Sequence, residues 1–138
     1  MKTTFLASST ISSESVLRCY DWATELPRHV VVVSGFQSKI EKDVLQLLLK
    51  TGHTAIMALG RTIYKKIPDH LAEPLSNGQL EIISTSAQSR QTKESAHNRN
   101  KQIIEMCDEV VFGTLHPDSS LYTLYEYAKE LNKPTIIL

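Results

Sequence analysis

His29-Val30-Val31-Val32-Val33-Ser34-Gly35-Phe36-Gln37-Ser38-Lys39-Ile40-Glu41 is the stretch that decides the fold. Four successive valines suit a strand buried on both faces, because β-branched side chains pack well above and below a pleat. The run stops at Ser34-Gly35, where glycine permits a sharp turn and a close approach of the backbone to a ligand. A helical pattern follows, with Ile40, Val44, Leu47 and Leu48 at i, i+4, i+7 and i+8. A buried strand, a turn of small residues and a helix aim backbone N–H groups and a positive helix terminus at an anion. The same arrangement also serves as a plain strand-to-helix connection with no ligand.

Toward the N-terminus, residues 3–7 read as a strand and Ser8-Ser9-Thr10 as a polar loop. Ser13 is the expected N-cap of a helix reaching about Leu26, with Val16, Tyr20 and Ala23 on one face and Pro27 beyond its end. Toward the C-terminus, Gly52 suits the C′ position of the second helix, and residues 54–59 form a third strand ended by Gly60. Residues 61–66 are a loop, 68–75 a short helix, Ser76-Asn77-Gly78 a turn and 80–84 a fourth strand. A long polar stretch, 85–98, precedes a helix carrying Ile103, Ile104 and Met106. Residues 109–112 are a fifth strand and 113–119 a loop. Leu121, Leu124, Tyr125, Ala128 and Leu131 make one face of the last helix, and 135–138 are a final strand. This alternation predicts an α/β, three-layer Rossmann-like fold: a mostly parallel sheet of five or six strands with helices on both faces. Residues 1–138 are expected to form one domain, with no further module appended.

Composition narrows the function. The 138 residues suffice for one full core, and the hydrophobic fraction of 41% suits a soluble domain. Lys+Arg and Asp+Glu balance at 15 each, so any attraction to nucleic acid or to a membrane must come from a local patch. No apolar stretch is long enough to span a bilayer, and the apolar run near Met1 is too short for a signal peptide. The expectation is a cytoplasmic protein with no membrane partner. Cys19 and Cys107 lack Cys-x-x-Cys or metal-ligand spacing and read as reduced, buried thiols. The histidines are scattered, and neither His97 nor His116-Pro117-Asp118 is spaced for a metal. Neither a Gly-x-Gly-x-x-Gly motif nor a Walker lysine is present, which weakens dinucleotide and NTPase readings. No metal and no resident cofactor are expected.

In such a sheet, ligands bind beyond the carboxyl ends of the strands, near the point where strand order reverses. The loops there are 34–39, 60–66, 85–98 and 113–120. The first offers backbone amides and the hydroxyls of Ser34 and Ser38. The third, with the start of its helix, offers Arg90, Lys93, Arg99 and Lys101 against one acid, Glu94, and the fourth offers Ser119 and Ser120 ahead of a helix. Hydroxyls and guanidinium groups suit phosphate, to which arginine bonds in pairs.

At these loops the chain resembles the Rossmann domain of DNA-processing protein A (DprA/Smf), in the wider SLOG/LOG superfamily. Ser34-Gly35-Phe36-Gln37-Ser38-Lys39-Ile40-Glu41 is similar to that family's Ser-Gly-x-Ala-Arg-Gly-Ile-Asp, with Lys39 where the family has glycine and Glu41 where it has aspartate. Residues 54–60 resemble its next strand and glycine. Residues 97–108 resemble its Arg-Arg-Asn-Arg-Ile-Ile…Ser-Asp segment, with Arg99, Asn100 and Asp108 matching, and Ser120-Leu121-Tyr122-Thr123 resembles its Ser-Leu-Ile-Thr. The ordered matches run from about Val30 to Leu138. The family's first Gly-Ser-Arg-type loop is represented only by Ala7-Ser8-Ser9-Thr10, and its flanking helical and winged-helix modules have no counterpart.

The resemblance implies a phosphate-lined crevice that binds a nucleotide or single-stranded nucleic acid, without chemistry, in DNA processing. Its residues would be Ser34, Gly35, Phe36, Gln37, Ser38, Lys39, Arg99, Asn100, Lys101, Ser119, Ser120 and Thr123. Arg99 and Lys101 are expected to act alike, as phosphate contacts. A protein partner and a homodimer are compatible with this reading. The sister "lonely guy" (LOG) phosphoribohydrolases, with Pro-Gly-Gly-x-Gly-Thr-x-x-Glu, give the alternative. Pro117-Asp118-Ser119-Ser120-Leu121-Tyr122-Thr123-Leu124-Tyr125-Glu126 keeps Thr-x-x-Glu without the glycines, so Glu126 is catalytic only under that alternative. A third reading is a nucleotide-sensing, partner-binding domain.

Overall fold

The computed structural model describes Met1–Leu138. Its elements run β1 (Lys2–Leu6), α1 (Ser13–Glu25), β2 (Val31–Ser34), α2 (Lys39–Lys50), β3 (Ala55–Leu59) and α3 (Asp69–Ser76). They continue through β4 (Leu80–Ser84), α4 (Lys93–Met106), β5 (Glu109–Phe112) and α5 (Ser120–Glu130) to β6 (Thr135–Ile137). The strands form one sheet in the order β4-β3-β2-β1-β5-β6, and every pairing is parallel. The chain moves outward from β1 to β4, then returns to add β5 on the other side of β1. Strand order therefore reverses between β1 and β5.

Right-handed crossovers place α1, α2 and α3 on one face and α4 and α5 on the other. The valine strand explains why both faces are needed. Val32 belongs to the core under α1 and α2, with Phe5, Cys19, Val44, Leu48 and Leu71; Val33 belongs to the core under α4 and α5, with Leu6, Ile103, Ile104, Phe112 and Leu124. Alternating residues of one strand thus hold both layers, and both valines are fully buried.

The expected elements are all present, with shifted ends. β1 starts one residue early, with Lys2 paired to Val31, and ends one residue early, where the Ala7 N–H leaves the sheet to bond a carboxylate on α2. Ser12, not Ser13, caps α1, since its hydroxyl accepts from the Ser15 N–H. Thr51 and Gly52 end α2 as expected, with Gly52 at φ +79°. The largest correction concerns α4, which begins at Lys93 inside the stretch expected to be a polar loop. Thr92 caps it and Ser95 bonds back to the Thr92 N–H, a reciprocal box strong enough to start a helix whose first turns are mostly polar. Both cysteines are free and buried. No helix is long and apolar enough to cross a membrane.

Candidate nucleotide and nucleic-acid site

The Ser34 hydroxyl, fully buried at the end of β2, accepts from the Phe36 N–H at 3.1 Å. The turn this makes leaves Phe36 at φ +49°, a conformation that costs an L residue about 1–2 kcal/mol. Burial of the Phe36 ring in the core offsets that cost. Ser38 then caps α2, accepting from the Glu41 N–H at 3.2 Å.

Glu41 is buried and uses both oxygens. Oε1 accepts from the N–H groups of Gln37 (2.9 Å) and Ser38 (3.2 Å), and Oε2 accepts from the Ala7 N–H at 3.1 Å. The Lys39 N–H meets Ser9 Oγ at 3.4 Å. The amides of residues 36–39, which the sequence marks as open to phosphate, are thus bonded within the protein. A carboxylate of the chain occupies the place that an anion would take at the start of α2.

Arg99 is the opposite case. It is 5% exposed, and a Cβ on Gly35 would lie 2.5 Å from its Cζ and 2.6 Å from its Nη1. Nε donates to Asn100 Oδ1 at 3.1 Å and Nη1 to Gln91 Oε1 at 3.0 Å. Nη2 has no protein partner and reaches solvent, since no fully buried polar side-chain atom lacks a bond. No carboxylate comes within ion-pair distance of Arg99. Burial lowers its pKa from the usual arginine value, and the negative charge of Glu41 acts the other way. Arg99 is thus a desolvated cation with one donor unused within the protein and no carboxylate in direct contact.

Three further residues complete the cradle. Gln37 and Gln91 exchange hydrogen bonds through their side-chain amides at 2.9 and 2.5 Å, which ties the β2–α2 turn to the loop before α4. Gly60 ends β3 so tightly under α4 that a Cβ there would meet Ser95 O at 3.0 Å. The first turns of α4 therefore sit on the carboxyl ends of β2 and β3.

The structure brings Ser34, Gly35, Phe36, Gln37, Ser38, Arg99 and Asn100 together. Lys39 lies at the margin, exposed and paired with Asp43 at 3.0 Å. Lys101 is placed elsewhere. Because α4 is already helical at Arg99, a residue two positions on faces away from it, and Lys101 Nζ stands over the Tyr127 ring at 5.1 Å. With His97, Thr123 and Glu126 it lines a groove of about 260 Å³ between α4 and α5. Lys101 and Thr123 are therefore not part of the Arg99 cradle, and neither is Glu126. Ser119 and Ser120 lie on the same carboxyl edge, after β5, where Ser119 Oγ caps α5 by accepting from the Leu121 N–H. No hydrogen bond links them to Arg99. Arg90 and Lys93 are exposed and flank Gln91 and Thr92 in the chain. Gln91 does not stand out in the sequence; Gly60 and Glu41 do so only as the end of a strand and as a motif position, and the bonds Glu41 makes could have been sought from its place three residues after Ser38, the spacing of a capping box.

No family model and no curated protein matches the chain. Solved structures do match it. DNA processing protein A from Helicobacter pylori, described for its single-stranded DNA binding mode, superposes with a TM-score of 0.78 at 18% identity over 99% of this chain and 64% of that one. DNA processing protein A (DprA) from Streptococcus pneumoniae gives 0.80 at 18% identity, over 99% of this chain and 49% of that one. The Moco carrier protein from Chlamydomonas reinhardtii gives 0.64 at 13% identity, covering 99% and 75%. The chain has a DprA-like Rossmann fold, and it spans about half to two thirds of the DprA chains it matches.

Proposed function

We propose that this protein binds the sugar–phosphate backbone of single-stranded nucleic acid at the carboxyl edge of its sheet, with Arg99 as the anion anchor. One observation supports this most directly: Arg99 is buried against Gly35, has no carboxylate partner and keeps Nη2 free toward solvent. The similarity in fold to proteins named for DNA processing, one of them described binding single-stranded DNA, supports the choice of ligand. Work in DNA processing, in the cytoplasm and without chemistry, fits this reading. A free nucleotide is the smaller ligand of the same class. The phosphoribohydrolase alternative gains no support, because Glu126 is exposed in the α4–α5 groove, on the side of α4 away from Arg99.

Fluorescence anisotropy with a labelled ~30-nucleotide single strand at low salt tests the proposal. Arg99→Gln should weaken binding about tenfold or more, the loss of a charge-assisted contact, and by the same factor for every sequence. Failure of the wild-type protein to bind any single strand would remove nucleic acid as its ligand.

A further inference from the structure

We infer that Gln91 is a positioning residue: a neutral acceptor that fixes the Arg99 guanidinium without discharging it, so that Nη2 stays aimed at the incoming anion. The inference rests on the phosphate reading above. A guanidinium carries its N–H donors in a rigid planar fork, so two bonds on different nitrogens set the direction of the third. Nε donates to Asn100 Oδ1 at 3.1 Å and Nη1 to Gln91 Oε1 at 3.0 Å, which leaves Nη2 as the unbonded end. Asn100 is the next residue on α4 and travels with Arg99. Gln91 lies before the helix begins, and it is the partner that ties the guanidinium to the rest of the crevice.

Gln91 is itself held from three sides. Its Oε1 also accepts from Gln37 Nε2 at 2.9 Å, and its Nε2 donates to Gln37 Oε1 at 2.5 Å, so both lone pairs of the acceptor are in use. A Cβ on Gly60 would come within 3.1 Å of the same Oε1, so the end of β3 leaves room for this amide as Gly35 leaves room for the guanidinium. Its backbone runs straight into Thr92, whose N–H and hydroxyl are bonded to Ser95 in the capping box of α4. The role needs an amide. A carboxylate in its place would accept the same bond from Nη1 but neutralise the cation, and an apolar side chain would leave Nη1 without a partner. Held by neutral groups, Arg99 keeps its charge for the ligand, and a fork already fixed in one orientation loses little freedom on binding.

The test sets Gln91→Glu against Gln91→Ala in the full chain, with two readouts. The first is affinity for the ~30-nucleotide single strand at low salt. Gln91→Glu should lose about tenfold or more, as far as Arg99→Gln, because the new carboxylate takes the charge of Arg99. Gln91→Ala should lose about threefold or more, through lost orientation. The second readout is the Nη–H signals of Arg99 in heteronuclear NMR of the unligated proteins, which are resolved only while rotation of the guanidinium is slow. They should be resolved in wild type and in Gln91→Glu, and averaged in Gln91→Ala; the backbone amide signals of the same samples report that each variant is folded. The two variants thus separate charge from orientation, which a merely structural role for Gln91 would not do. Wild-type affinity in either variant, tighter binding by Gln91→Ala, or Nη signals that Gln91→Ala leaves resolved overturns the positioning role and leaves the phosphate reading standing. If wild type binds no strand, the phosphate reading falls and this inference falls with it.

Discussion

A methyl group on Gly35 would stand 2.5 Å from Cζ of Arg99 and 2.9 Å from its Nε, closer than real side chains come. The backbone there is not in the left-handed region, so the glycine is required for space and not for conformation. Gly35→Ala should therefore act by evicting the guanidinium. Stability is expected to fall by about 1–3 kcal/mol, the usual cost of overpacking. Affinity for single-stranded DNA should fall as far as in Arg99→Gln, although Arg99 is still present. Gly78→Ala is the matching control: its φ of +85° strains any side chain, but nothing lies within 4 Å of the new methyl. It should cost about 1 kcal/mol and leave binding untouched. Urea unfolding and anisotropy on the two variants separate a lost cradle from a weakened fold.

Among the elements, α2 and α4 meet the ligand edge in opposite ways. The first turn of α2 is closed by Glu41, whose carboxylate joins β1, the turn and the helix through Ala7, Gln37 and Ser38. Glu41→Gln puts an NH2 where one oxygen accepted an N–H, so stability should drop by about 1.5–3 kcal/mol. Binding should not weaken with it, because the change also removes the negative charge nearest the Arg99 cradle. A parallel loss of affinity would mean that the turn, more than the guanidinium, holds the ligand. The sequence made α2 legible through periodicity and α4 only in its second half. Ile103 and Ile104 show a buried face, whereas Lys93, Glu94, His97 and Asn98 show none, since the start of α4 crosses strand ends where mostly Ser95 and Arg99 turn inward. That hidden start decided the site. With residues 93–98 read as loop, Arg99 and Lys101 look like neighbours on one track; as helix, they face apart. Pairings across the sheet, such as Gln37 with Gln91, depend on strand order and leave no local mark.

For the whole molecule, charge sets how strongly a strand can be held. The balance of 15 basic and 15 acidic residues gives no long-range pull, so binding depends on cations within reach of the carboxyl edge. Arg99 is one, and Arg90 and Lys93, both exposed, lie in the segment that leads into its helix. Lys39 is largely answered by Asp43, and Lys101 stands over Tyr127 on the far side of α4. Each phosphate contacted on a single strand contributes about −0.7 to the slope of log affinity against log salt. Two or three contacts therefore predict a slope of about −1.4 to −2.1, with affinity in the micromolar range or weaker. Arg99→Gln should make that slope shallower by about 0.7, whereas Lys101→Ala should leave both slope and affinity unchanged. Titrations of the three proteins at several salt concentrations give the answer. A wild-type slope steeper than about −3.5, or an equal effect of the two substitutions, would show that the strand also runs along the α4–α5 groove and that Arg99 is one contact among many.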